Sequence, residues 1–120
     1  MKTYLKTIFL SAVALLLATA VHAYDFSVDN EDGVTIYYNL VSPTDKTCEV
    51  TTFNSEYSWN TPRKYYSGDI RIPEKVSYSS MDFQVIGIGN GAFRECHGLT
   101  SVTLPNSITY IGGGAFMYCI

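Results

Sequence analysis

Two reactive side chains adjoin at Cys96-His97. A thiol beside an imidazole could begin a nucleophile–base pair. Cys96 returns 23 residues later as Cys119, whereas His97 is replaced by Ile120. A position that keeps its sulfur but not its base reads as packing, with a surface histidine beside a core thiol. His97 is the only histidine beyond residue 23, and the chain has no Gly-x-Ser-x-Gly turn for a serine nucleophile. No catalytic residue and no cofactor are therefore expected. Cys48, Cys96 and Cys119 show no Cys-x-x-Cys spacing, so no metal centre is expected either. Asp25, Asp29, Glu31 and Asp32 crowd one segment, but their spacing does not fit an EF-hand loop, and they read as a solvated hairpin turn. Tyr57, Trp59, Tyr65 and Tyr66 crowd one polar loop. Flat aromatics there could stack on sugar rings, anchor a protein interface, or cover the open end of a core.

The elements that position these groups are set by a repeat. Gly91-Ala92-Phe93-Arg94-Glu95-Cys96 returns as Gly114-Ala115-Phe116-Met117-Tyr118-Cys119, and Ile88-Gly89 returns as Ile111-Gly112. Self-similarity at such a period marks stacked repeats. The apolar positions Ala92, Phe93, Cys96, Leu99, Val102, Leu104, Ile108 and Ile111 follow neither a helix nor a strand period. They suit a coil that turns through several conformations while aiming apolar groups at one axis. Val102 and Leu104 belong to a strand that Pro105 ends, with Ser101 and Thr103 on its other face. Ala92, Phe93 and Cys96 suit a single helical or 3₁₀ turn, entered at Gly89 and Gly91. Stacking would put Phe93 on Phe116 and Cys96 on Cys119. At about strand spacing, roughly 4.8 Å, the two sulfurs could bridge, yet a position built to fill core favours two buried thiols. Ile70 to Val76 has the same shape as Val102 to Ile108, with nine extra residues before the next Ile-Gly, so the first repeat carries an inserted hairpin.

Upstream, Phe26 and Val28, Val34 to Val41, and Cys48 to Phe53 read as three strands in two consecutive hairpins, turned at Asn30–Gly33 and Ser42–Lys46. Asp69 to Pro73, Val76 to Tyr78 and Phe83 to Ile88 read as further strands. Residues 1–23 read as a signal peptide: Lys2 and Lys6 precede an apolar run from Ile8 to Leu17, and Val21-His22-Ala23 offers small residues for cleavage. Beyond residue 23 there are six basic and eleven acidic side chains, a net charge of −5. That balance argues against nucleic acid and anionic membranes as partners. No membrane span is expected after cleavage.

The string from Gly91 to Gly112 closely resembles the BspA-type leucine-rich repeat of bacterial surface proteins, GAF-x-x-C-x-x-L-x-x-V-x-[IL]-P-x-x-[VI]-x-x-I-G, and meets every position of it. The resemblance implies a β-rich leucine-rich-repeat solenoid with a parallel sheet on one face. It further implies a β-rich, antiparallel-hairpin N-terminal cap over residues 24–68 and repeats over 69–120, the last truncated. The role it implies is non-catalytic: protein–protein recognition or adhesion by a secreted or bacterial cell-surface protein, with host or neighbouring-cell surface proteins as partners. Asp69, Arg71, Ser101 and Thr103 are then candidate contacts as the outward residues of aligned strands, with Trp59 in the aromatic loop. The alternative is a carbohydrate-binding module using the Tyr57/Trp59/Tyr65/Tyr66 loop. The pattern stops just after the second Gly-Ala-Phe motif, where a third repeat has only begun, short of the three or so complete repeats such arrays need, and reads as a fragment or truncated product of a longer one.

Overall fold

A computed structural model describes residues 24–53 and 65–120. The expected signal peptide, and Tyr57 and Trp59 of the aromatic loop, lie outside the described residues. Eight strands follow in order: β1 (Phe26–Asp29), β2 (Thr35–Ser42), β3 (Thr47–Thr51), β4 (Gly68–Arg71), β5 (Lys75–Tyr78), β6 (Met81–Ile88), β7 (Leu99–Thr103) and β8 (Tyr110–Ile111).

The first two turns form where the sequence carries turn chemistry. The Asn30 side chain accepts from the N–H groups of Asp32 (3.0 Å) and Val34 (2.9 Å), and Gly33 takes φ +76°. Antiparallel β1–β2–β3 results, with alternate residues Phe26, Ile36, Tyr38, Cys48 and Val50 buried. β3 then pairs in parallel with β6, and β6 pairs antiparallel with β5. The sheet order is β1-β2-β3-β6-β5, with β8 added in parallel to β6. The sheet curls until its two edges meet: Phe26 of β1 stacks on Tyr78 of β5 at 4.7 Å and lies 5.4 Å from Phe83 of β6. Val76, Phe83 and Val85 complete this core.

The β5–β6 turn holds two non-glycine residues in the left-handed region, Ser79 (φ 52°) and Ser80 (φ 63°). This is the backbone that Asn-Gly adopts with least strain in a two-residue hairpin. Replacing Ser79-Ser80 by Asn-Gly is expected to raise stability by about 1 kcal/mol in urea unfolding; no gain would show that this turn is not strained.

The second sheet is the parallel pair β4–β7. Its register joins Ile70 to Val102, an offset of 32, whereas β6–β8 joins Ile88 to Ile111, an offset of 23. The nine-residue difference is taken up by the β5–β6 hairpin, which leaves the repeat and joins the larger sheet.

The Gly-Ala-Phe segments stack as expected. The Phe93 and Phe116 rings lie 5.1 Å apart and 3° from parallel, and Phe93 is fully buried. The expected helical or 3₁₀ turn does not form: no helix of either kind occurs among the described residues. The N–H groups of Ala92, Arg94 and Cys96 close i→i−3 turns on Gly89, Gly91 and Phe93, at 3.1–3.2 Å. Those between them go elsewhere, from Gly91, Phe93 and Glu95 to the carbonyls of Gly113, Ala115 and Met117 in the next coil, at 2.8–3.1 Å. A 3₁₀ helix needs consecutive i→i−3 bonds, and here every second donor is used between coils. Gly91 (φ 64°) and Glu95 (φ 60°) also lie in the left-handed region that a right-handed helix excludes, and Gly114 and Tyr118 repeat this at 62° and 61°.

Tyr66 joins the two cores. Its ring packs 4.8 Å from Phe93 and 6.1 Å from Tyr37. Its hydroxyl donates to the Thr51 carbonyl at 2.6 Å and accepts the Tyr37 N–H at 3.0 Å, bridging β2 and β3 where their ladder ends. Burial pushes the Tyr66 hydroxyl far above the ordinary phenol range, so it stays a neutral donor.

Candidate recognition surface

Short parallel strands alternate, so β4 sends Ile70 inward and Asp69 and Arg71 outward. The register places Asp69 opposite Ser101 and Arg71 opposite Thr103, and all four side chains are exposed. The outward residues expected from the sequence therefore share one face. Trp59 lies outside the described residues.

A bulge adds a residue the sequence reading missed. Gly68 pairs with Leu99 and Asp69 with Ser101, so Thr100 is extra. Two residues of β7 thus oppose one of β4, and both hydroxyls reach one carboxylate oxygen. Thr100 Oγ1 donates to Asp69 Oδ1 at 2.6 Å and Ser101 Oγ at 2.7 Å. These bonds, Thr100 first, hold the Asp69 carboxyl below its usual range. A group lowered in this way favours the fold above its unfolded pKa and loses that contribution as pH falls through the folded value. In an NMR titration, Asp69 should titrate below the ordinary aspartate value of about 3.9, and Thr100→Val with Ser101→Ala should bring it back up. An unchanged midpoint would remove the hydroxyls as the cause.

Arg71 is held from the other side. Its guanidinium contacts Glu31 Oε1 at 2.5 Å and Asp32 Oδ2 at 3.7 Å, and Asn30 Nδ2 donates to its carbonyl at 3.0 Å. The β1–β2 turn, expected to be merely solvated, thus folds against β4. The acidic residues there hold a cation of this chain, and no group of metal-ligating side chains occurs among the described residues.

The Cys96-His97 pair is not assembled. Burial pushes the Cys96 thiol up to about 11, which keeps it protonated at neutral pH. Its Sγ is 3.8 Å from the Arg94 carbonyl, while His97 Nδ1 lies 3.1 Å from the Ile120 carbonyl. Cys119 Sγ meets the Phe93 carbonyl at 2.7 Å. Both repeat thiols therefore face backbone oxygen, Cys96 within its own coil and Cys119 across to the preceding one. The aromatic loop is also corrected: Tyr66 is 7% exposed with its hydroxyl engaged, so it offers no face to a sugar, whereas Tyr65 is 46% exposed.

A parallel strand pair beside a column of stacked Gly-Ala-Phe coils is the architecture of a leucine-rich repeat protein, and comparison with known proteins gives that class. Residues 70–120 match the family described as BspA type leucine rich repeat region (6 copies). A leucine-rich repeat protein from Bacteroides ovatus is similar at 29% identity over 80% of this chain, with a TM-score of 0.61. One from Bacteroides capillosus is similar at 28% identity over 78%, with a TM-score of 0.50. A leucine rich cell surface protein from Faecalibacterium prausnitzii shares the fold at 23% identity over 78%, with a TM-score of 0.55. The matched region spans 21% of the Bacteroides ovatus and Faecalibacterium chains and 59% of the Bacteroides capillosus chain. No curated protein matches.

Proposed function

We propose that this is an exported, non-catalytic leucine-rich-repeat protein that recognises other proteins at the bacterial cell surface. In this reading residues 1–23 are a signal peptide, 24–68 a β-rich cap and 69–120 leucine-rich repeats, the first with an inserted hairpin. Its ligand face is the outer side of β4–β7. The observation that carries the reading is the gathering of Asp69, Arg71, Thr100, Ser101 and Thr103 on one exposed parallel sheet, with the side chains of Asp69, Arg71, Thr100 and Ser101 held by neighbours rather than loose. Prearranged polar groups on a rigid sheet lose little freedom on binding. The family match and the cell-surface description of the Faecalibacterium neighbour support the place and the kind of partner.

Immobilised protein exposed to solubilised surface proteins of host or neighbouring cells should retain a ligand. Asp69→Ala with Arg71→Ala should weaken that binding about tenfold or more, as truncating central contacts does. Retention indifferent to the double substitution would move the site off this face. Glycan-array binding lost with Tyr65→Ala would favour a carbohydrate ligand instead. Export is checked separately, since mature protein recovered outside the cell should begin at Tyr24.

A further inference from the structure

The backbone of β4 is used on one side only. Successive strand residues turn their N–H and C=O groups to opposite edges. The Gly68 and Ile72 N–H groups donate to the Gly98 and Thr103 carbonyls at 2.8 and 2.9 Å, so the even-numbered residues face β7. Asp69 and Arg71 therefore turn theirs to the far edge, where Asn30 Nδ2 donates to the Arg71 carbonyl at 3.0 Å. The other three groups on that edge are the Asp69 N–H, the Asp69 carbonyl and the Arg71 N–H. They find no partner among the described residues, where β4 pairs with no strand but β7. β4 lies mid-chain, so this edge is not a chain end. Sheet edges are commonly blunted by lysine or proline, and β4 carries neither.

The side chains along the edge carry surplus negative charge. Glu31, Asp32 and Asp69 stand against one cation, Arg71, which Glu31 and Asp32 already hold. Asp69 gives one oxygen, Oδ1, to the hydroxyls of Thr100 and Ser101, and its Oδ2 has no partner among the described residues. Side chains directly opposite each other in an antiparallel pair share a face, and opposite charges there attract.

We infer that the outer edge of β4 takes an extended segment of a partner protein as an added antiparallel strand, with a lysine or arginine opposite Asp69. The inference rests on the reading that β4–β7 binds protein, and it names the form and charge of what is bound. One residue of the segment exchanges both backbone bonds with Asp69, and the residue opposite Arg71 accepts its N–H. The main chain supplies affinity, and the basic side chain supplies selection. A second copy of this chain fits less well. Pairing two β4 strands about Ile70 sends the Asp69 N–H to the Arg71 carbonyl, which Asn30 already occupies.

The probe is a short capped peptide of alternating Thr and Lys, titrated into the protein by NMR beside a Thr/Glu peptide of equal length. At twice its Kd, the Thr/Lys peptide should slow hydrogen exchange at the Asp69 and Arg71 amides about threefold. Methylating the backbone nitrogens of its lysines should abolish this, whereas a contact through charge alone would survive. Asp69→Asn, which keeps the acceptor for Thr100 and Ser101, should weaken the peptide about threefold. Unchanged exchange at both amides would overturn the inference, as would equal binding of the Thr/Glu peptide. So would a dimer in light scattering with both amides protected before peptide is added, since a second copy would then be the occupant. Peptide bound with both amides still open would sink the edge pairing alone; the wider reading is lost only if partner retention ignores Asp69→Ala with Arg71→Ala.

Discussion

Phe93→Ala should cost about 4 kcal/mol of unfolding free energy, the upper part of the usual range for emptying a buried aromatic site. Phe93 is completely buried, and its ring touches Tyr66 at 4.8 Å on one side and Phe116 at 5.1 Å on the other. Removing it leaves a void between the larger sheet and the second coil, bordered by rings that cannot collapse without moving backbone. A domain of this size has a total stability of about 5–15 kcal/mol, so the variant would be near or past unfolding at 25 °C. Phe116→Ala, at a partly exposed ring, should cost clearly less. Urea titrations of both variants decide this. A loss below about 1.5 kcal/mol at Phe93 would mean that the stacked rings do not carry the core.

Adjacent glycines in the second coil should behave in opposite ways. A Cβ built at Gly112 falls 2.6 Å from the Asn90 nitrogen, 2.8 Å from the Gly89 carbonyl carbon and 2.5 Å from Asn90 Oδ1. Two of those three are backbone atoms, held where the coils exchange hydrogen bonds from Gly112 to Ile88 and from Gly91 to Gly113. Gly112→Ala therefore has to push the coils apart, at a cost of about 3 kcal/mol. A Cβ at Gly113 comes no closer than 3.8 Å to Asn90 Oδ1. Gly113→Ala should change stability by about 1 kcal/mol or less, with a gain allowed because alanine restricts the unfolded chain. Equal losses at the two positions would show that the coil spacing is not set by backbone contact at Gly112.

Several parts of this fold were readable because one residue type carried one physical signal. Asn30 and Gly33 marked a turn, the β-branched and aromatic run from Val34 to Val41 marked a strand, and the recurrence of Gly-Ala-Phe marked stacked coils. Other parts were not, because the information is shared between distant residues. Nothing in Thr47–Thr51 specifies that it pairs in parallel with Met81–Ile88. Tyr110–Ile111 is too short to show a period, and it is a strand because β6 offers it an edge. The turn at Ala92 to Cys96 looked helical by spacing, but its donors are divided between two coils, a choice that exists only after stacking. On the candidate surface, Asp69, Arg71, Ser101 and Thr103 followed from alternation. Thr100 depends on a bulge, and the ties from Glu31 and Asp32 to Arg71 depend on how a hairpin folds over a strand 40 residues away. Glycine opposite a large ring was a usable clue that went unread. Gly87 leaves room for the Tyr110 ring, whose hydroxyl reaches across it to Glu49 at 2.6 Å.

The position of Tyr66 has a bearing on how the molecule comes apart. One phenol is at once the final rung between β2 and β3 and a lid over the first Gly-Ala-Phe coil. Fraying at either end must therefore strip the same side chain from its place, which binds hairpins and repeats into a single melting unit. Amide protons of Tyr37 and Phe93, though far apart along the polypeptide, should exchange with deuterium at matching rates, both governed by global opening.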